Sequence, residues 1–172
     1  MASLYIRCMQ SFISEYAAFN LWANERICSV VDKLTDDQMM QEIPSSFSSI
    51  QKTLLHIWDA QLIWINRIEG VSLREFPSKN FSGTKKDVID GLLSTSQKLK
   101  DLANSNDEEA LTSIKKYATL KGGIVTSALY QVFAHVCNHG TYHRGQLVTM
   151  FRKVGITAIP QIDLIYFYRE VK

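Results

Sequence analysis

The chain has 172 residues, of which 46% are hydrophobic and 21% are charged, values typical of a folded globular protein. That length fits one domain with a single sizeable core, and we expect residues 1–172 to form it. The net charge of +2 is too small, and the basic residues are too dispersed, for the concentrated basic face that binds nucleic acid.

The first half of the chain predicts two long helices. Apolar residues recur at mostly helical spacing over residues 9–34, with no glycine or proline among them, so this segment predicts the first helix. Residues 35–38 then have the pattern of a capping box that opens a short helical turn. Ser48 and Gln51 form a second candidate capping box before a helix that is apolar on nearly every side, as expected in the interior of a bundle. Gly70 ends this helix.

The middle of the chain mixes a connection, a helix and an irregular segment. Residues 71–83, with one proline and a glycine, predict a connection across one end of the molecule. Thr84 can cap a third helix that runs to about Asn104. Residues 107–110 predict a further helical turn. Residues 111–126 contain a glycine pair between two short segments and predict a small hairpin or an irregular loop.

The strongest helical pattern covers residues 127–153, and Gly155 is well suited to end that helix. The tail at residues 163–171 predicts a short closing helix or strand. Four long helical segments indicate an all-α fold, a four-helix bundle of the up-down-down-up type with crossover connections and a short C-terminal element.

The histidines carry the candidate chemistry. Three of the four, His135, His139 and His143, fall on the last predicted helix, where steps of four residues turn by about 40° beyond a full revolution and stack the rings on one face. His56 lies on the second helix, which is also expected to be interior. Histidines at i and i+4 can hold one ion. A histidine on an apolar face is more often a hydrogen-bonded core residue, so spacing alone leaves both interpretations open.

Three segments of the chain resemble the DinB/YfiT-like family of metalloenzymes. The run HGTYHRGQL at residues 139–147 is similar to a motif of that family. The run TLLH at residues 53–56, with Trp64 downstream, resembles the family's second-helix histidine segment, and PQIDLIYF at residues 160–167 resembles its usual ending. The likeness covers essentially the whole chain in order. It implies a four-helix bundle, commonly dimeric, with one metal ion held by three residues that face the centre.

The resemblance implies His56, His139 and His143 as the metal ligands. His135 is left over, and both a substrate-facing role beside the site and an ordinary structural role remain open. Asp59, one helical turn after His56, could accept the second N–H of a ligand imidazole. An exposed or capping role for Asp59 is an equal alternative.

Other residues near these positions are expected to be structural. For Arg144 and Gln146 we expect hydrogen bonds between helices near the site. Trp58 and Trp64 are expected in the core. Cys137 lies about 200° around the last helix from His139 and is expected to be a small packing residue rather than a ligand.

Three neutral imidazoles would leave a divalent ion its full double charge and at least one open coordination position, as in catalytic sites. That position could lower the pKa of water or bind and deprotonate a thiol. Because the resemblance includes members that transfer low-molecular-weight thiols, we expect thiol S-transferase-like activity on a small-molecule substrate. We expect zinc or nickel ahead of iron or manganese. A non-catalytic, metal-binding stress-response protein is the alternative, and a hydrolase is a third hypothesis, weakened because no acidic residue lies beside the histidine pair.

The cysteines and termini bear on location and partners. Cys8, Cys28 and Cys137 are an odd, scattered set, which argues against a disulfide framework and for a reducing compartment. The opening residues lack a secretory pattern, and the apolar stretches are too short to span a membrane. We therefore expect a cytoplasmic protein without a membrane partner. Family behaviour, with weak support from the aromatic tail at residues 165–168, predicts a homodimer.

Overall fold

Four long helices carry most of the chain in the computed structural model, which describes residues 2–171, with side chains from Met9 to Val171. The helices and strands are α1 (Ala2–Val31), α2 (Asp36–Met40), α3 (Ile50–Ile68), α4 (Lys85–Ser105), α5 (Glu108–Thr112), β1 (Ile114–Ala118), β2 (Ile124–Ala128), α6 (Leu129–Lys153) and α7 (Leu164–Glu170), with a 3-10 turn at Pro77–Asn80. The predicted all-α bundle is confirmed.

Polar caps fix where the helices begin. The predicted capping box before α2 is present, because the Thr35 side chain accepts from the Gln38 backbone and Gln38 bonds back to Thr35. The prediction for α3 was wrong by one residue. Ser49, rather than Ser48, caps the helix by accepting from the backbone N–H of Lys52, and adjacent serines give a sequence pattern no basis for choosing between them.

Glycines in the left-handed region follow two of the long helices, as predicted. Gly70 after α3 has φ +87°, and Gly155 after α6 has φ +88°. A side chain at either position would be strained, because only glycine adopts this conformation without steric cost. Each glycine therefore lets the chain turn sharply out of its helix.

Contacts at opposite ends give the helix directions. The amine of Lys85, at the start of α4, donates to the carbonyl of Leu34 just beyond α1, and Ser14 in the first half of α1 donates to the carbonyl of Ala103 near the end of α4. The helices α1 and α4 are therefore antiparallel. Lys98 of α4 pairs with Glu69 at the end of α3, which makes α3 and α4 parallel.

The last long helix completes the bundle. Thr53 at the start of α3 contacts Met150 near the end of α6, and Trp64 near the end of α3 packs on His135 near the start of α6. The helices α3 and α6 are thus antiparallel, so α6 runs with α1. This is the predicted up-down-down-up order, with α1 and α3 each packed between α4 and α6.

A two-stranded hairpin precedes α6, in agreement with one of the two predictions for that segment. Strands β1 and β2 are antiparallel, with Ile114 opposite Ala128 and Ala118 opposite Ile124. The buried guanidinium of Arg67 in α3 donates to the carbonyl of Ala118 and lies over the ring of Tyr117. The hairpin is thereby fixed to the end of α3.

The tail forms a helix, α7, which settles the alternative between helix and strand. Phe167 is buried at 6% exposure against Phe19 and Trp22 of α1. Phe167, one of the aromatic residues of the proposed dimer patch, therefore packs inside its own chain and is not available to a partner. Ile165 of the same patch is 52% exposed. Within residues 2–171, no helix combines the length and apolar character needed to cross a membrane.

Candidate metal centre

The structure brings His56, His139 and His143 together between α3 and α6. The Nε2 atom of His139 lies 3.1 Å from Nε2 of His56 and 3.2 Å from Nε2 of His143. The three ligand atoms all lie within 4.8 Å of one another. The antiparallel packing of α3 on α6 brings His56 to the pair, and the i/i+4 spacing aligns the other two rings on one face of α6.

These separations fit a common ion. Metal–nitrogen bonds of 2.0–2.1 Å at tetrahedral angles place two ligand nitrogens about 3.3 Å apart. The two short separations are 3.1 and 3.2 Å. Three imidazoles around one point match the ligand set of zinc, nickel, iron or copper sites that keep a coordination position open. The arrangement could therefore hold one divalent cation.

All three rings are held in the form that binds metal. Burial, with a smaller contribution from the neighbouring histidines, lowers the pKa of His56 to about 4 and that of His139 to about 4. Burial also lowers the pKa of His143, although its hydrogen bond to Gln146 opposes the shift. A neutral imidazole has a free lone pair on one nitrogen. At neutral pH the cluster is uncharged and does not repel a cation.

Gln146 selects the tautomer of His143. Its Oε1 atom lies 2.8 Å from Nδ1 of His143, and its Nε2 donates to the Ser46 hydroxyl at 3.0 Å. The amide oxygen therefore accepts from Nδ1–H, and the lone pair of His143 is left on Nε2, which faces the other two rings. We predicted hydrogen bonds between helices for Gln146, and this was wrong, because Ser46 lies in the loop between α2 and α3 and His143 lies on the same helix as Gln146.

Changing Gln146 should weaken metal binding without removing it. We expect Gln146→Leu to raise the zinc dissociation constant about 10–100-fold, the usual effect of losing a partner that orients a ligand. Gln146→Glu keeps an oxygen that can accept from Nδ1–H and should retain most of the affinity. Competitive titration against a chelator would measure both variants. Equal losses of zinc affinity in the two variants would show that the hydrogen bond from Nδ1–H of His143 does not contribute to metal binding.

Phe47 closes one side of the cluster and was missed by the sequence analysis. Its ring stacks on His56, with centroids 4.1 Å apart and planes 25° apart, and its edge faces His143 at 5.6 Å. The ring of Tyr142 packs on His143, with centroids 4.9 Å apart. Phe47 lies in the loop between α2 and α3, where no helical periodicity predicts the direction of a side chain.

His135 lies beside the cluster but outside it. The group within metal-binding distance consists of His56, His139 and His143. The His135 ring is exposed, packs on Trp64 at 5.0 Å and lies 5.8 Å from the ring of His139. Its position argues against direct coordination, and both the substrate-facing role and the structural role stay predictions.

Asp59 supports a loop rather than a ligand. Its Oδ1 accepts from the backbone N–H of Ser78 at 2.8 Å, and its Oδ2 accepts from the hydroxyl of the same serine. The suggestion that it orients the imidazole of His56 is therefore not supported, and the exposed alternative was wrong because Asp59 is only 4% exposed. Burial raises its pKa, and the bonds from Ser78 partly offset this. Asp59 fixes the 3-10 turn beside α3.

Arg144 makes the predicted bonds between helices. Its Nη1 donates to Oδ1 of Asn20 at 2.8 Å and to Oδ1 of Asn24 at 3.0 Å, and its Nη2 donates to Thr141. The side chain is 1% exposed, and none of these partners carries a charge. Arg144 therefore connects the histidine-bearing helix α6 to α1 through neutral acceptors.

The buried cysteines are structural. Cys28 and Cys137 are both buried free thiols, and burial raises the pKa of each to about 12. Neither forms a thiolate at neutral pH, so neither is an activated nucleophile. The packing role predicted for Cys137 is confirmed by its place in the core cluster to which all four long helices contribute. The side chain of Cys8 lies outside the described residues.

The fold and the cluster together define a class: all-α bundle proteins with a candidate three-histidine metal centre. The chain belongs to the DinB family, whose sequence model matches residues 9–169. It is similar to Protein DinB of Bacillus subtilis (strain 168), with 26% identity over 167 residues that cover 93% of this chain and 96% of that relative.

A solved structure shows the same fold. The chain superposes on the crystal structure of a DinB-like protein from Bacillus cereus ATCC 10987, determined at 2.01 Å resolution, with a TM-score of 0.63. The match covers 81% of this chain and 89% of the other, at 21% sequence identity. Sequence identity this low supports the fold and carries no information about activity.

Proposed function

We propose that this DinB-family protein holds one divalent metal ion through the Nε2 atoms of His56, His139 and His143. The convergence of these three atoms within 4.8 Å is the observation that carries the proposal. The neutral state of the rings and the tautomer set by Gln146 support it. Imidazole ligands suit zinc and nickel, which we propose as the ion ahead of iron and manganese.

We further propose that the loaded protein is a thiol S-transferase. A divalent cation held by His56, His139 and His143 would supply Lewis acidity, which would favour the thiolate form of a thiol beside it. The buried Cys28 and Cys137 cannot take this role, so the nucleophile is a small external thiol. The rings of Phe47 and Tyr142 pack on His56 and His143 beside the proposed site.

The chemical step is a substitution. The thiol loses its proton to solvent, its sulfur forms a bond with an electrophilic carbon of the second substrate, and the leaving group departs with the electron pair of the bond that breaks. A hydrolase would need a positioned base. Asp59, the acidic residue nearest to His56 along α3, has both carboxylate oxygens engaged by Ser78, which favours the transferase over the hydrolase.

Turnover should depend on both the thiol and the metal. Tag-free protein loaded with zinc or nickel would be mixed with 1-chloro-2,4-dinitrobenzene and one of a panel of low-molecular-weight thiols, and release of the thioether would be followed by absorbance. We expect at least one thiol to react faster than with metal-free protein. His139→Ala should remove that difference. Tight metal binding without turnover for any thiol would favour the non-catalytic stress-response protein.

The oligomeric state is a separate proposal. We propose a homodimer, which rests on the family rather than on any contact in the chain. Exposed Ile165 on α7 and Phe12 on α1, at 52% and 48% exposure, offer apolar surface for it. Light scattering at micromolar concentration should give twice the mass of the chain.

A further inference from the structure

A cavity of about 590 Å³ opens beside the histidine cluster, and His56 forms part of its wall. This volume is in the range of sites that take small organic molecules. Much of the wall is apolar, from Phe47, Leu55, Phe76 and Leu120. The ring of Phe76 faces His56 with centroids 6.1 Å apart. A molecule in this cavity therefore contacts aromatic and aliphatic side chains next to the candidate metal centre.

Four of the polar residues around the cavity interact with each other in two pairs. Lys79 forms an ion pair with Glu75 at 2.8 Å. Asp59 accepts two hydrogen bonds from Ser78. The carboxylates of the wall are thus already engaged, one by a cation and one by two donors. Neither is available to a positively charged ligand without breaking these contacts.

Two cations of the wall, Arg74 and Lys52, have no acidic partner among the residues whose side chains are described. Arg74 forms no hydrogen bond or ion pair with the residues whose side chains are described, and its Nη1 lies beside the β1–β2 turn, 3.7 Å from where a Cβ would stand at Gly122. The amine of Lys52 donates to the Ser48 hydroxyl at 3.0 Å and forms no ion pair with any carboxylate among those same residues. The wall therefore has an excess of positive charge at its rim and an apolar interior.

We propose that this cavity binds the electrophilic substrate and that the substrate is an amphipathic anion. Its apolar body would lie against Phe47 and Phe76, and its carboxylate, sulfonate or phosphate group would bind Arg74, assisted by Lys52. A guanidinium donates two parallel hydrogen bonds to such groups, which makes Arg74 the principal anchor. This inference rests on the proposed transferase function for the identity of the occupant, but the anion site itself does not need the metal.

Two fluorescent probes of matched shape test the anion site. 8-Anilinonaphthalene-1-sulfonate carries a sulfonate, and N-phenyl-1-naphthylamine has the same ring system without it. Arg74→Gln should weaken the anionic probe about tenfold, as expected for losing one charge-assisted contact, and leave the neutral probe unchanged. Phe76→Ala should weaken both probes in parallel. Arg74 and Phe76 are both exposed positions in a loop. Neither substitution should therefore affect folding, which circular dichroism would verify.

The control is Arg152→Gln, which removes an exposed arginine from a different cavity, near the end of α6. It should leave both probes unaffected. An unchanged affinity of the anionic probe in Arg74→Gln, an equal loss for the two probes in that variant, or a loss in Arg152→Gln instead would each overturn the proposal.

Competition then separates the two possible occupants. The aromatic acid 3,5-dinitrobenzoate should displace the anionic probe, whereas glutathione, which has carboxylates without an apolar body, should not. Displacement by glutathione alone would assign the cavity to the thiol and overturn the substrate assignment. Zinc binding measured on the same samples keeps the two proposals apart. If the protein binds zinc but Arg74→Gln does not weaken the anionic probe, the anion site is wrong and the metal site stands. If Arg74→Gln weakens the anionic probe but the protein does not bind zinc, the metal site is wrong and the anion site stands.

Discussion

Replacing His139 by alanine should abolish stoichiometric binding of a divalent metal. His139 is the central member of the cluster, because its Nε2 makes both short separations, 3.1 Å to His56 and 3.2 Å to His143. Losing it leaves two nitrogens and a gap where a third ligand should stand. We expect affinity to fall by more than about 100-fold, beyond the loss expected for a group that only orients a ligand. Elemental analysis of protein purified without a histidine tag, followed by zinc titration, would measure it.

His135 provides the matched control on the same helix. It lies one turn before His139, its ring is exposed, and it belongs outside the group within metal-binding distance. His135→Ala should therefore keep a metal content close to that of the parent, while His56→Ala and His143→Ala should behave like His139→Ala. A comparable loss in His135→Ala would contradict the three-histidine site.

The fold could be predicted from the sequence because its helices are long and regular. Apolar spacing indicated all four long helices, and the order of segments with their connections indicated the up-down-down-up bundle that the inter-helix contacts confirm. The first residue of a helix was harder to predict where two adjacent residues could each cap it, as Ser48 and Ser49 could cap α3. The tail could not be assigned because seven helical residues in α7 are too few to distinguish a helix from a strand by periodicity.

The candidate site was predictable only in part. Spacing along α6 aligned His139 with His143, but placing His56 beside them depended on how α3 packs, which the family resemblance supplied. Phe47 could not be found, because its direction depends on the conformation of a loop. The partner of Asp59 could not be predicted for a related reason. Its partner, Ser78, is 19 residues away in the chain, and no local pattern reveals a tertiary hydrogen bond.

Arg144 shows how the structure around the centre constrains the chain. Burial lowers its pKa to about 10, so the guanidinium stays charged at neutral pH although it is fully buried. Its neutral acceptors must approach closely, and Gly140 makes this possible. A Cβ at Gly140 would lie 2.8 Å from Oδ1 of Asn20 and 2.9 Å from Nη1 of Arg144. Gly140, between His139 and His143, therefore belongs to the bonding of Arg144 rather than to the metal centre.

Removing an acceptor from this buried charge should be costly, and removing the charge as well should reverse much of the loss. We expect Asn20→Leu to lower the free energy of unfolding by about 3 kcal/mol, because the guanidinium loses a charge-assisted bond that water cannot replace. In the double variant Asn20→Leu/Arg144→Met the buried charge is gone and apolar groups of similar volume fill its place, so most of that stability should return. Urea unfolding of metal-free protein would measure each variant without a contribution from bound ligand.

The exposed Asn138 of α6 is the control, since Asn138→Ala should change stability by less than about 0.5 kcal/mol. Additive losses in the double variant would mean that Asn20 and Arg144 contribute independently, and the account of Arg144 as a buried charge held by neutral acceptors would then be wrong.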